Sequence, residues 1–206
     1  MVGLMTSSSI EYRRDIDTVS TKTSSVDAFY SDPDLLIREY FLSSSTQRCA
    51  SRKVIIQHIK SLKSIFEILS RGASGKARDS YDGAVNLLAE IDSFELLKNA
   101  SQAAQKAYLL MLEKPSNLKF AESFLEILIK AIACAYKIDA NQRLRLLRDI
   151  LPQADRRMIK ASMIDALTII SDEANLDSVK ATIEQFASDQ DQYIRDYATA
   201  ALQDIS

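Results

Sequence analysis

His58 is the only histidine in a chain of 206 residues, and histidine is the side chain most often used as a general base near neutral pH. It lies beside Val54 and Ile65 at the edge of an apolar helical stripe, with no nucleophile or orienting acid at a useful spacing, so it reads as a packed or half-exposed structural residue. Cys49 and Cys134 are far apart, and neither has a Cys or His partner at metal-ligand spacing or an evident base. They read as a helix-start residue and a core residue. The segment Gly72-Ala-Ser-Gly75-Lys76-Ala77 contains glycines and a lysine, as phosphate loops do. Its Gly to Gly-Lys spacing is too short, no Ser or Thr follows the lysine, and no strand precedes it. Carboxylates are scattered rather than clustered. The expectation is therefore a protein that is not an enzyme, with no catalytic residue, no metal and no cofactor.

Charge is the more informative chemistry. The net charge is only −2, but residues 48–80 carry a local +6 and residues 161–206 a local −7, so one end of the fold should be electropositive and the other electronegative. Asn141, Arg145 and Arg148 fall on one face of a predicted helix, opposite Leu144, Leu147 and Leu151. Arg156 and Arg157 follow at the next helix start, where positive charge opposes the helix dipole by a few tenths of a kcal/mol each. Two readings stay open for these residues: a patch for an acidic protein surface or a phosphate backbone, or pairing with local acids such as Asp149 and Asp155. Arg52, Lys53, Lys60 and Lys63 form a second basic stripe with no interleaved aromatics, which weakens a single-stranded nucleic-acid reading.

The elements that must position these residues are helices. Four glycines and three prolines are far below ordinary usage of about 7% and 5%, which argues against any fold that turns every 8–12 residues or so. The apolar fraction of 47% and charged fraction of 26% suit a globular core. Residues 1–30 form a Ser/Thr-rich tail expected to be disordered, since ten of the twenty residues 6–25 are Ser or Thr. The spacing then predicts a helix from Asp32-Pro33-Asp34 to about Leu42 and a long one from about Cys49 to Ser70, closed by the glycine-bearing loop at Gly72 and Gly75. A further helix runs to about Ile91 with Gly83 inside it. A capping box on Asp92 opens a helix to about Glu113, and residues 118–137 form a strongly apolar one. Asp139, Asp155 and residues 175 and 191 open the remaining four, with Pro115 and Pro152 at junctions. No run of about 18 apolar residues occurs and no leader pattern is evident, so a cytoplasmic chain with no membrane segment is expected.

At an offset of 35, Phe124, Ile159 and Ile194 superpose, as do Ala131-Ile132, Ala166-Leu167 and Ala201-Leu202. Three helices recur with an intervening helix between each pair, so the unit is a helical hairpin whose small residue marks the close approach of successive helices. Asp191, the pair Ile194-Arg195, Ala198 and Ala201-Leu202 resemble the first helix of a HEAT repeat, an armadillo-type helical repeat. The unit before it has Arg156 in the Asp position and Lys160 in place of Arg; the one at 121–135 keeps only the apolar skeleton.

The resemblance covers residues 118–206 and implies an all-α fold of antiparallel hairpins stacked as a short α-solenoid, with second helices lining the concave face. Residues 31–117 then supply degenerate repeats or a helical cap. It also implies a non-catalytic adaptor that holds a protein partner through Asn141, Arg145, Arg148, Arg156 and Arg157. Two alternatives accompany it. One is nucleic-acid binding through the basic residues of 48–80 and 143–160; the other is an accessory role in an enzyme or pigment (bilin) attachment system.

Overall fold

A computed structural model of the chain describes residues 33–42, 52, 55–57, 59–75 and 78–205. The tail at 1–30, Asp32, Cys49, Lys53 and His58 lie outside them. Among the described residues every regular element is a helix. In chain order these are α1 (Pro33–Leu42), α2 (Leu62–Ser74), α3 (Arg78–Leu88), α4 (Phe94–Leu112), α5 (Leu118–Cys134), α6 (Ala140–Ile150), α7 (Arg157–Ile170), α8 (Leu176–Ala187) and α9 (Gln192–Asp204). Pro115 and Pro152 each sit in a short 3-10 turn between α-helices, where a missing N–H costs nothing.

The predicted long helix from Cys49 to Ser70 is broken. Residues 55–57 are helical, but Ser61 is extended at φ −134° and its hydroxyl accepts from the Ser64 N–H at 3.2 Å, which starts α2 afresh. Ile55, Ile59, Ile65 and Leu69 are all buried on either side of the break, so apolar periodicity alone cannot see it. Gly72 lies within α2 rather than in the loop, and Gly75 is its C-cap. Two predicted caps also move by one residue. Ser93, not Asp92, accepts from the Leu96 N–H, and Arg156 rather than Asp155 is the N-cap of α7, with no side-chain bond to the helix start. Asp155 instead accepts from the Tyr108 hydroxyl at 3.4 Å.

The core forms one contiguous cluster running from Leu36 in α1 to Ala201 in α9. At its centre is α5, which buries nine residues, including Phe124, Leu125, Ile127, Leu128, Ile129 and Ile132, and packs against α2, α3, α4, α6 and α7. Each such large side chain is worth about 1.5–3 kcal/mol relative to exposure. α5 packs on α7, and α7 on α9. Ala131, Ala166 and Ala201 are buried along this row, as are Phe124, Ile159 and Ile194. α6 packs against α5 and α7, and α8 against α7 and α9.

Candidate functional site

The surface built around α6 follows from its two ends. Asp139 caps the helix by accepting from the N–H groups of Asn141 at 2.9 Å and Gln142 at 3.2 Å. Leu144, Leu147 and Ile150 turn inward, which leaves Asn141, Arg145 and Arg148 on the exposed face as the spacing predicts, while Leu151 is only half-buried in the following turn. Arg143 was not singled out by sequence and is buried. Its guanidinium donates to the Ala133 carbonyl at the end of α5 and lies 5.3 Å from the Tyr136 ring centroid. That contact fixes α6 against the negative end of α5.

The arginines of the candidate set divide into structural and unengaged groups. Arg148 Nη2 donates to the Ser178 carbonyl at 2.6 Å, and its Nε and Nη2 both reach the Thr182 hydroxyl, at 3.1 and 3.0 Å. It ties α6 to α8. Arg145 is exposed and has no ion pair among the described residues, and the Asn141 side chain is likewise exposed without a hydrogen bond.

Arg156 and Arg157 do pair with acids, but with neither Asp149 nor Asp155. Arg156 reaches back to Glu122 of α5 at 3.7 Å, and Arg157 forward to Asp191 at the start of α9 at 2.5 Å, with Tyr193 beneath its guanidinium at 5.8 Å. Both pairs span 34 residues. Shifted by the repeat offset of 35, Glu122 becomes Arg157 and Arg156 becomes Asp191, so the same inter-helix pair is made twice with its charges exchanged. The arginines that oppose the α7 dipole are held there by acids on the helices before and after. Lys160 makes a further link, to Asp189 at 2.6 Å. The Asp189 and Asp191 carboxyls are both held below their ordinary range, first by the hydrogen bonds from Lys160 and Arg157, respectively.

Of the second basic stripe, Arg52 is engaged by an acid. Arg52 pairs with Glu90 at 2.6 Å, and Lys137 joins the same carboxylate at 3.0 Å. Lys60 and Lys63 are exposed, in the loop before α2 and in its first turn, and Lys53 lies outside the described residues. The hydrogen bond from Lys137 is the main cause that lowers the Glu90 carboxyl below its ordinary value of 4.5, with attraction to Lys137 and Arg52 adding to it against burial. A carboxyl depressed in the folded state stabilises the fold above its unfolded value, and that contribution fades as pH falls through the folded value. Glu90→Gln should therefore be less stable than the parent at about pH 7, and the gap should close below about pH 4. Urea unfolding midpoints across that range test it; a gap independent of pH would assign the effect to something other than charge.

Among the described residues no group of three or more His, Cys, Asp or Glu is placed to hold a metal ion, and no helix is long and apolar enough to cross a membrane. Cys134 is a half-buried free thiol. The chain matches no protein-family model, no curated protein and no solved structure.

Proposed function

We propose that the chain is a non-catalytic, cytoplasmic protein-interaction module: a short HEAT-like stack of antiparallel hairpins whose exposed α6 face holds an acidic surface of another protein. The observation that carries this reading is the contrast between neighbours on one rigid helix. Arg148 is engaged by α8, whereas Arg145 one turn earlier projects an unneutralised guanidinium from a helix capped at one end and clamped to α5 by Arg143. The helix already fixes the Arg145 backbone, so binding has to order only its side chain, and arginine is enriched among residues that dominate interfaces.

The ion pairs also weigh against a phosphate-backbone ligand. Arg52, Arg156 and Arg157 already face acids, so these three would have to give up those partners before releasing counterions from a nucleic acid. Arg145→Glu should weaken a partner captured by the parent chain by about 2 kcal/mol, roughly thirtyfold in Kd, with unchanged thermal unfolding. Affinity capture with mass spectrometry, followed by titration of the recovered partner, is the measurement. Arg148→Glu is unsuitable for this purpose because it also breaks the α6–α8 link. A captured set and affinities indifferent to Arg145→Glu would remove this surface from the proposal.

A further inference from the structure

An open cleft of about 410 Å³ runs across α5, α7 and α9, and none of its lining residues comes from α4, α6 or α8. We propose that it docks a short amphipathic segment of another protein, one that presents aliphatic side chains together with a Lys or Arg. This surface is separate from the α6 face and stands or falls independently of Arg145.

One of the residues lining the cleft is unusually small for its place in the repeat. The repeat-equivalent positions 130, 165 and 200 carry Lys130, Asp165 and Ala200, so the third helix leaves open the space that a long side chain would fill. Ile164 and Ile169 supply apolar wall, and Ile169 stays 44% exposed. The apolar strip continues past Tyr197, which stacks on Tyr193 at 5.8 Å and 10°; Tyr193 is 52% exposed. Met158, at the position equivalent to Tyr193 on α7, is 55% exposed. Tyr and Met are enriched at protein interfaces, and helical spacing puts Met158 and Ile169 on one face of α7, and Tyr193, Tyr197 and Ala200 on one face of α9. Twelve residues of α9, from Tyr193 to Asp204, span about 18 Å, enough for a partner helix with anchors at i, i+4 and i+7.

Charge selects the kind of segment. Lys130 is already spent on Glu126 at 3.5 Å and lies 5.3 Å from the Tyr81 ring centroid. Asp165 accepts the Tyr197 hydroxyl, and neither it nor Asp204 has an ion pair among the described residues. The cleft is therefore mainly apolar with Asp165 and Asp204 at its rim, and both lie in the segment 161–206, whose net charge is −7. A cation beside the apolar anchors satisfies that rim, while an acidic segment meets like charge.

The test is selection of random peptides displayed against the immobilised full chain, followed by titration of a synthetic peptide of the enriched sequence. Enriched peptides should combine aliphatic or aromatic residues at three- and four-residue spacing with at least one Lys or Arg. Binding should weaken about tenfold or more on Ala200→Trp, which fills the cleft from an exposed position, and on Asp204→Lys, yet remain unchanged on Arg145→Glu. Ile169→Glu blocks the same wall should the tryptophan variant fail to fold. The proposal is overturned if no peptide is enriched, if enriched peptides are acidic, or if binding survives both cleft variants. It is equally overturned if the parent chain forms a concentration-dependent dimer that Ala200→Trp abolishes, since a second copy would then be the occupant.

Discussion

Asn175→Ala should lower stability by about 3 kcal/mol, or roughly 6–12 °C in Tm for a chain of this size. Asn175 is only 2% exposed and sits in the turn between α7 and α8. Its Oδ1 accepts from the Asp172 N–H at 3.0 Å, its Nδ2 donates to the Ile170 carbonyl at 2.9 Å, and its own N–H donates to Asp172 Oδ1 at 3.0 Å. Alanine keeps the last bond and loses the other two. The Ile170 carbonyl at the end of α7 and the Asp172 N–H are then left without their partner, at about 1–3 kcal/mol for each group that water cannot reach.

Asn175→Asp separates the two losses. The carboxylate can still accept from Asp172 but is forced against the Ile170 carbonyl, so this variant should be at least as unstable near neutral pH. It should recover relative to the parent on acidification, because a protonated carboxyl can donate to that carbonyl. Urea unfolding of the three proteins at two pH values measures both effects. An alanine variant within about 0.5 kcal/mol of the parent would mean that the turn is held by the helices alone.

The turn also fixes where α8 begins, and hence where Ser178 and Thr182 meet Arg148. Nothing in the local sequence announces that linkage. The helices themselves were legible because apolar periodicity and capping residues agree: Asp139 and Asp191 cap α6 and α9 as read, and the exposed face of α6 lies where its leucines require. Errors arose where two neighbouring side chains compete for one role. Asp92 and Ser93 both suit an N-cap, and only backbone geometry decides which oxygen reaches the third helical N–H. The break at Ser61 escaped because apolar residues remain in phase across it.

The fate of the arginines depends on residues about 34 positions away, beyond any local window. A signal was nevertheless present in the repeat offset. Placing Glu122, Arg156, Arg157 and Asp191 on the 35-residue grid puts opposite charges on adjacent helices at both junctions, so the grid was a better guide to pairing than proximity to Asp149 or Asp155. The same grid aligns Ala200 with Lys130 and Asp165 but does not by itself announce a cleft, because what an alanine contributes there is the volume it leaves empty.

Gly72→Ala is the substitution for which helix propensity and packing predict opposite signs. In the interior of α2, alanine should gain about 1 kcal/mol over glycine. A Cβ at position 72, however, would lie 2.5 Å from the Ala84 Cβ of α3 and 2.8 Å from Ile127 Cδ1 of α5. The isoleucine terminus can rotate away. The Ala84 Cβ cannot, because it is carried by the backbone, so α2 and α3 must move apart against the core that they share with α5. Overpacking of this kind costs about 1–3 kcal/mol and sometimes more, and a contact this short belongs at the upper end of that range. The net expectation is a loss of about 2 kcal/mol. Ala84→Gly in the same background removes the closest contact, so the double variant should be more stable than the sum of the single changes by at least about 1 kcal/mol. A double-mutant cycle by urea denaturation reads this coupling directly. If Gly72→Ala is instead stabilising by about 1 kcal/mol, propensity has won, and α2 and α3 cross at a greater distance than 2.5 Å implies.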